Sequence, residues 1–344
     1  PKVLCVVLRT LKADKIITLS QINLLISTFK YKLKGTGLNP FGLEITNSNL
    51  SEGKLKGTAS QKWCLLIHLP LILRNINITP ENQAWQLMIK CREIGEILMS
   101  DSIPKSKIQY LACLIDEHHQ LFRLLSPVGM TPKFHYLIHY PRIISSFGPP
   151  IRYWTMRFEA KHQYFKDLAR KLKNFKNLPH TLATRCQTLQ AVSLSSSFFQ
   201  LSEMHCGPGE TIPVSAFDQS VCDGIKEISG LGYFEEENAF SASWVQLNGI
   251  KYEMGSLLIT SIVQEDIPLF SKTEWIVNIR NKWYIGGKDV IPKSFDEKTW
   301  SYECSVTEHI SFQELSTMFC RSPVLVYHLD ETVYALMVTL PSRT

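Results

Sequence analysis

The chain has 344 residues, 44% of them hydrophobic and 20% charged, with a formal net charge of +6. That length suffices for two domains with their own cores, at about 150 residues per domain. No uncharged apolar run reaches the ~18 residues of a membrane-spanning helix, so no membrane partner is expected. The longest apolar run, Cys64 to Leu73, is interrupted by His68 and Pro70.

The N-terminus begins Pro-Lys-Val-Leu-Cys, without a Met or a small-residue cleavage site, and reads as the start of a fragment rather than of a signal peptide. Residues 1–60 form a lead-in. Within it Ile22, Leu25, Ile26 and Phe29 recur at helical spacing, a turn-rich stretch follows from Lys34 to Gly42, and Thr46 to Lys56 reads as exposed linker. Residues 61–195 read as a helical region. Gln61 to Leu73 is apolar. Thr79-Pro80-Glu81 signals a helix start, with Thr79 as N-cap and Pro80 in the first turn. Trp85, Met88, Ile89, Ile94, Ile97 and Leu98 then form a core-facing stripe. Further helices are predicted over Lys105–Leu125, over Pro132–Tyr140 with Pro141 as its stop, over Ile151–Lys173 after a rigid Phe147-Gly-Pro-Pro turn, and over Pro179–Ser193.

Residues 196–243 are rich in Gly, Pro and acids and read as a linker. From Trp244 the pattern is that of short strands, with Asn248-Gly249 as a two-residue hairpin turn. The remaining strands are expected at Leu257–Val263, Trp275–Ile279, Trp283–Ile285, Val324–Leu329 and Val333–Val338, making a sheet or barrel of five or six strands over residues 244–340. Trp275, Trp283, Trp300 and Tyr302 either line a groove there or sit in its core.

Charge is unevenly placed. Between Thr131 and Arg185 eleven cations face only Glu159 and Asp167, a local balance of +9 that leaves −3 for the rest of the chain. Arg152, Arg157, Lys161, Lys166, Arg170, Lys171, Lys173 and Lys176 alternate with Tyr153, Trp154, Phe158, Tyr164, Phe165 and Phe175. Cations neutralise phosphates and aromatic rings stack on bases, so this stripe is a candidate DNA-binding surface; the plainer reading is a solvated helix face with core aromatics. In the same window His135 and His139 lie four apart, as two metal ligands would, or as one packed and one exposed histidine. Glu159 reads as a Mg²⁺ ligand or as a salt-bridging surface residue. Glu117-His118-His119 is unlike an ion site, because adjacent helical residues point in different directions.

The run Pro132-Lys-Phe-His-Tyr-Leu-Ile-His-Tyr-Pro141, then Phe147-Gly-Pro149, then Trp154-Thr-Met-Arg-Phe-Glu-Ala-Lys-His162, Phe165-Lys166 and Asn174-Phe-Lys-Asn177 resembles the C-terminal part of animal transposon-derived proteins. It is similar, more distantly, to transposases of the CACTA (En/Spm) superfamily. The resemblance covers about residues 55–195 well and the β-rich tail weakly. It implies an α+β protein: a mainly helical N-terminal region, comprising the helical insertion and last helix of a ribonuclease-H-like core, followed by a small antiparallel β-rich domain. In that family two Asp and one Glu bind two Mg²⁺ or Mn²⁺ ions to cut and join DNA, and Glu159 matches the last of the three. His135 and His139 match a pair that, in the related recombination-activating recombinase, completes a structural Zn²⁺ site with an upstream Cys pair; His139 precedes Glu159 by 20 residues. The missing Asp and Cys residues are expected before residue 1. The expected partner is DNA, in the nucleus, with homo-oligomerisation. The alternative is a catalytically inactive remnant serving as a nucleic-acid or protein interaction module.

Overall fold

The computed structural model describes residues 1–31, 43–100, 102–126, 129–173, 175–195, 204–229, 237–247, 250–263, 267–318, 323–330 and 332–336, without the side chains of 156–161, 229 and 336. The chain is mixed, with helices in its N-terminal part and antiparallel sheets in its C-terminal part. No helix among the described residues is long and apolar enough to cross a membrane.

Residues 1–60 are part of the helical body and not only a lead-in to it. Helix α1 (Lys2–Ala13) lies at the centre of the largest core, with Leu4, Cys5, Val7, Leu8 and Leu11 at most 2% exposed. Burying each such side chain stabilises by roughly 1.5–3 kcal/mol. Around α1 pack α2 (Leu19–Thr28) through Ile22 and Ile26, α3 (Asn47–Glu52) through Leu50, α4 (Ala59–Ile72) through Leu65 and Leu69, and α5 (Gln83–Leu98) through Trp85, Leu87 and Met88. Three of these helices start on a reciprocal capping box: Thr18 with Gln21, Thr46 with Asn49 and Thr58 with Gln61. The stretch expected as exposed linker at Thr46–Lys56 thus contains α3, held by buried Leu50 and Leu55. Helix α5 starts after Asn82, whose side chain accepts from the Trp85 amide, and not at Thr79-Pro80.

Helices α6 (Lys105–Leu125) and α7 (Pro132–Phe147) form a second layer around Ile94, Leu111, Leu114, Ile115 and Ile144. Pro141 does not stop α7. Buried Ile144, with Leu137 and Tyr140 packed beside it, carries the helix about two turns further to Phe147. Pro150–Arg152 then makes a single 3₁₀ turn before α8 (Met156–Leu172) and α9 (Leu178–Ser195).

Residues 204–229, expected as linker, carry β1 (Met204–Cys206), β2 (Gly209–Pro213) and α10 (Gln219–Ser229). Then follow β3 (Asn238–Ala242), β4 (Trp244–Leu247), β5 (Ile250–Glu253), β6 (Leu257–Ile262), β7 (Pro268–Ile279), β8 (Lys282–Asp296), β9 (Ser301–Glu314), β10 (Leu325–Leu329) and β11 (Thr332–Leu336). All described pairings are antiparallel. The order β6-β7-β8-β9-β11-β10 closes on itself, because Val324 donates its amide to Leu257 O at 2.7 Å. Leu257, Phe270, Val290, Cys304, Val326 and Ala335, one from each strand, fill the interior. The far halves of β7 and β8 extend beyond this barrel. Val277 and Tyr284 pack there with α10, while their neighbours Ile276 and Ile285 pack with the three-stranded sheet β1-β4-β5. Leu247 pairs with Ile250, so β4 and β5 are hairpin partners; Asn248 and Gly249 themselves lie outside the described residues.

Two barrel hairpins meet the helical body. His68 on α4 donates Nδ1–H to Cys64 O at 2.7 Å, since a carbonyl can only accept, and its Nε2 therefore accepts the Tyr327 hydroxyl at 2.8 Å. Burial pushes the His68 pKa down to about 4, which keeps the ring neutral. Arg74 pairs with Asp330 in the β10–β11 turn at 2.7 Å, and Lys298 donates to Arg74 O at 2.7 Å. From the β8–β9 turn, Trp300 Nε1 donates to Glu96 at 2.9 Å, while the other Glu96 oxygen accepts from fully buried Arg92 at 2.8 Å.

Candidate nucleic-acid interface

Helix α8 places Lys166 and Arg170 one turn apart on an exposed face, while Leu168, Ala169 and Leu172 are half-buried. Asp167 accepts from Gln163 at 2.9 Å and from Arg170 at 3.2 Å. Lys166, Lys171 and Lys173 are exposed and pair with no described carboxylate. Lys173 ends the helix in the left-handed region, φ 51°, with its amide bonded to Ala169 O; Asn177 repeats that conformation, φ 52°, before α9. Between them stand Phe175, 69% exposed, and exposed Lys176. The tip of the α8–α9 pair therefore presents exposed Lys173 and Lys176 with exposed Phe175 between them in sequence. Cations in the last helical turn are also favoured by the negative end of the helix dipole.

The stripe expected from the sequence is only partly gathered here. Arg152 is exposed on the 3₁₀ turn. Arg157, Glu159 and Lys161 occupy the first turns of α8, and their side chains lie outside the described residues, as does that of Phe158. Of the other interleaved aromatics, Tyr153 is 42% exposed. Tyr164 and Phe165 are half-buried and meet edge to face at 5.4 Å, and Trp154 is half-buried as well. These three pack more than they display.

His135 and His139 are brought together. They lie on the exposed face of α7, opposite Phe134 and Ile144, with their Nε2 atoms 3.1 Å apart. Two nitrogens each ~2.0–2.1 Å from one tetrahedral ion would lie about 3.3 Å apart, so the pair fits two corners of a zinc site. Among the described residues no group of three or more His, Cys, Asp or Glu could hold an ion, so the other two corners are not supplied by them. His118 and His119 do not make an ion site either. Both are buried against Phe134, with ring centroids 5.9 and 5.7 Å from it.

Sequence reasoning missed an open groove of about 630 Å³ between α6 and α7. Ile103, Ile108, Ile144 and Pro149 line it, Lys105 and Arg142 supply its charge, and no carboxylate does. Directly before its lining residue Gly148, Phe147, 75% exposed, stands 6.4 Å from Tyr153, whose hydroxyl donates to Gly148 O at 3.3 Å. The signal was present as a phenylalanine directly before a Gly-Pro turn, but only the continuation of α7 past Pro141 brings these groups together. In the sheets, Asp289 accepts from both His309 and Ser311, so the serine hydroxyl faces the carboxylate and not the imidazole a nucleophile needs. Trp275, Trp283 and Tyr302 pack on sheet cores and Trp300 binds Glu96, which leaves no aromatic groove made of these four. No protein-family model, no curated protein and no solved structure matches this chain.

Proposed function

We propose that this chain is the C-terminal part of a transposase-like nuclear protein that binds duplex DNA through α8 and the α8–α9 connection. The observation that carries this reading is the exposed set Lys166, Lys171 and Lys173, which pair with no described carboxylate and lead along α8 to exposed Phe175 and Lys176. The likeness of residues 132–177 to transposon-encoded proteins supports the same reading, and with it a ribonuclease-H-like parent that assembles as a homo-oligomer.

Metal chemistry is assigned to the parent and not to this chain alone. A two-metal centre takes about three converging carboxylates, and the resemblance assigns Glu159 alone here, so the residues present do not fit a two-Mg²⁺ or two-Mn²⁺ site. His135 and His139 fit half of a Zn²⁺ site, which further donors outside the described residues would complete.

The test is fluorescence anisotropy with a blunt duplex over a series of salt concentrations, for the chain and for R170Q/K171Q/K173Q. Removing one cation from a phosphate reduces the slope of log K against log salt by about 0.9, so the triple variant is expected to flatten it by between two and three. Absence of binding at low salt, or a slope untouched by the three substitutions, would refute the reading. The duplex itself is expected to remain uncut with Mg²⁺ present.

A further inference from the structure

We propose that the groove between α6 and α7 binds unpaired nucleotides of a DNA strand, with Phe147 and Tyr153 as the stacking surface and Lys105 and Arg142 as phosphate contacts. This rests on the DNA-binding reading above and names the form of DNA that a second, separate surface takes.

Four observations converge on the groove. It is an open groove of about 630 Å³ that a ligand can enter from solvent. Its floor is apolar, from Ile103, Ile108, Ile144 and Pro149, and suits the face of a base or sugar better than water. Its charge is one-signed. Lys105 and Arg142 line it without a carboxylate, and α6 has no acidic residue in its first turn to compete for an anion there. Finally, Phe147, 75% exposed, directly precedes the groove residue Gly148, and Tyr153 is held beside it by its hydrogen bond to Gly148 O.

A cationic rim, an apolar floor and exposed aromatic rings together match the alternating charge and π-surface of a nucleic-acid strand. An acidic peptide would use the cations and the floor, but leaves the paired rings without a role. Duplex DNA is the poorer fit, because its bases are stacked on one another and offer no free face. An unpaired end, flap or gap does.

The experiment compares a blunt duplex with the same duplex carrying a short single-stranded thymidine tail, for the chain, F147A and K105Q/R142Q. Stacking of one base contributes enough that the tail is expected to tighten binding about tenfold or more. F147A and K105Q/R142Q are each expected to cancel that gain and to leave blunt-duplex binding unchanged, since Phe147 is exposed and its truncation removes little packing. A tail that adds no affinity, or a gain that survives both variants, overturns the proposal while blunt-duplex binding keeps the parent reading intact. Loss of blunt binding with a Phe147-dependent tail gain retained would overturn the parent reading and support this one. Displacement of the tail by a Glu- and Leu-rich peptide at equal concentration, with no tail dependence on Phe147, would reassign the groove to an acidic protein partner.

Discussion

His118 shows what burial does to a single side chain. It is 1% exposed, stacks on Phe134 with an interplanar angle of 19°, and neither ring nitrogen has a hydrogen-bond partner among the described residues. Burial first, then the neighbouring His119 and Lys90, push its pKa down to about 4. An unfolded histidine titrates near ~6.5, so the unfolded chain takes up protons before the folded one does. Stability is therefore complete above about pH 6.5 and falls as the pH drops towards ~4, by an amount on the order of 3 kcal/mol for one such group. His68, also pushed down to about 4, adds to the same loss. H118F keeps the stacked shape and removes one titration, so urea unfolding between about pH 7 and about pH 4.5 should show a shallower decline. An unchanged decline would mean that His118 is not held neutral in the folded chain.

At the scale of elements, the β7–β8 ribbon is the piece on which the C-terminal half depends. It contributes to the barrel with one half and to two further cores with the other. Its turn, Arg280-Asn281, has φ values of 49° and 65°, the double left-handed geometry that matches strand twist, although the sequence lacks the Asn-Gly signature. Where the ribbon passes from barrel to sandwich the register shifts between Thr273 and Trp275. Gly287 lies opposite Thr273, and a Cβ there would sit 1.8 Å from Lys272 O. Backbone must move to admit it. G287A is expected to destabilise by about 3 kcal/mol, read as a lowered melting temperature, whereas G129A should change it little. At Gly129 an added Cβ meets nothing within 4 Å.

For the whole molecule, the decisive contacts are those joining helices to barrel. Ile67 and Leu71 of α4 pack on Tyr327, the His68–Tyr327 hydrogen bond seals that contact, and Glu96 bridges Arg92 to Trp300. Arg92 is a fully buried charge, and such a charge is strongly destabilising when its partner is disturbed. The two halves should consequently unfold together. Calorimetry is expected to give one transition for the chain and two separated ones for W300F/Y327F, which has neither the hydroxyl nor the indole link. A single unshifted peak in that variant would show that the halves are coupled by something other than these hairpins.

Helix existence was legible in the sequence wherever apolar residues recur every three or four positions, as in α5 and α6, because that spacing alone decides which face is buried. The concentration of cations in residues 131–185 was equally a property of the chain order. Other features depended on partners far away in sequence. The apolar α4 has no polar face because helices cover one side and Tyr327 the other, and no local pattern names a residue 259 positions distant. Helix α7 crosses Pro141 because Ile144 is buried on α6, a gain that outweighs one missing backbone hydrogen bond. The linker at 204–229 became strands and a helix for the same reason: β1 gains order from β4, β2 from β3, and α10 from the core it shares with β7, β8 and β9. Local spacing determined where helices and charge lie. Long-range burial decided which segments are core, where α7 ends, and that Lys105 and Arg142 line a single groove with Gly148, the residue after Phe147.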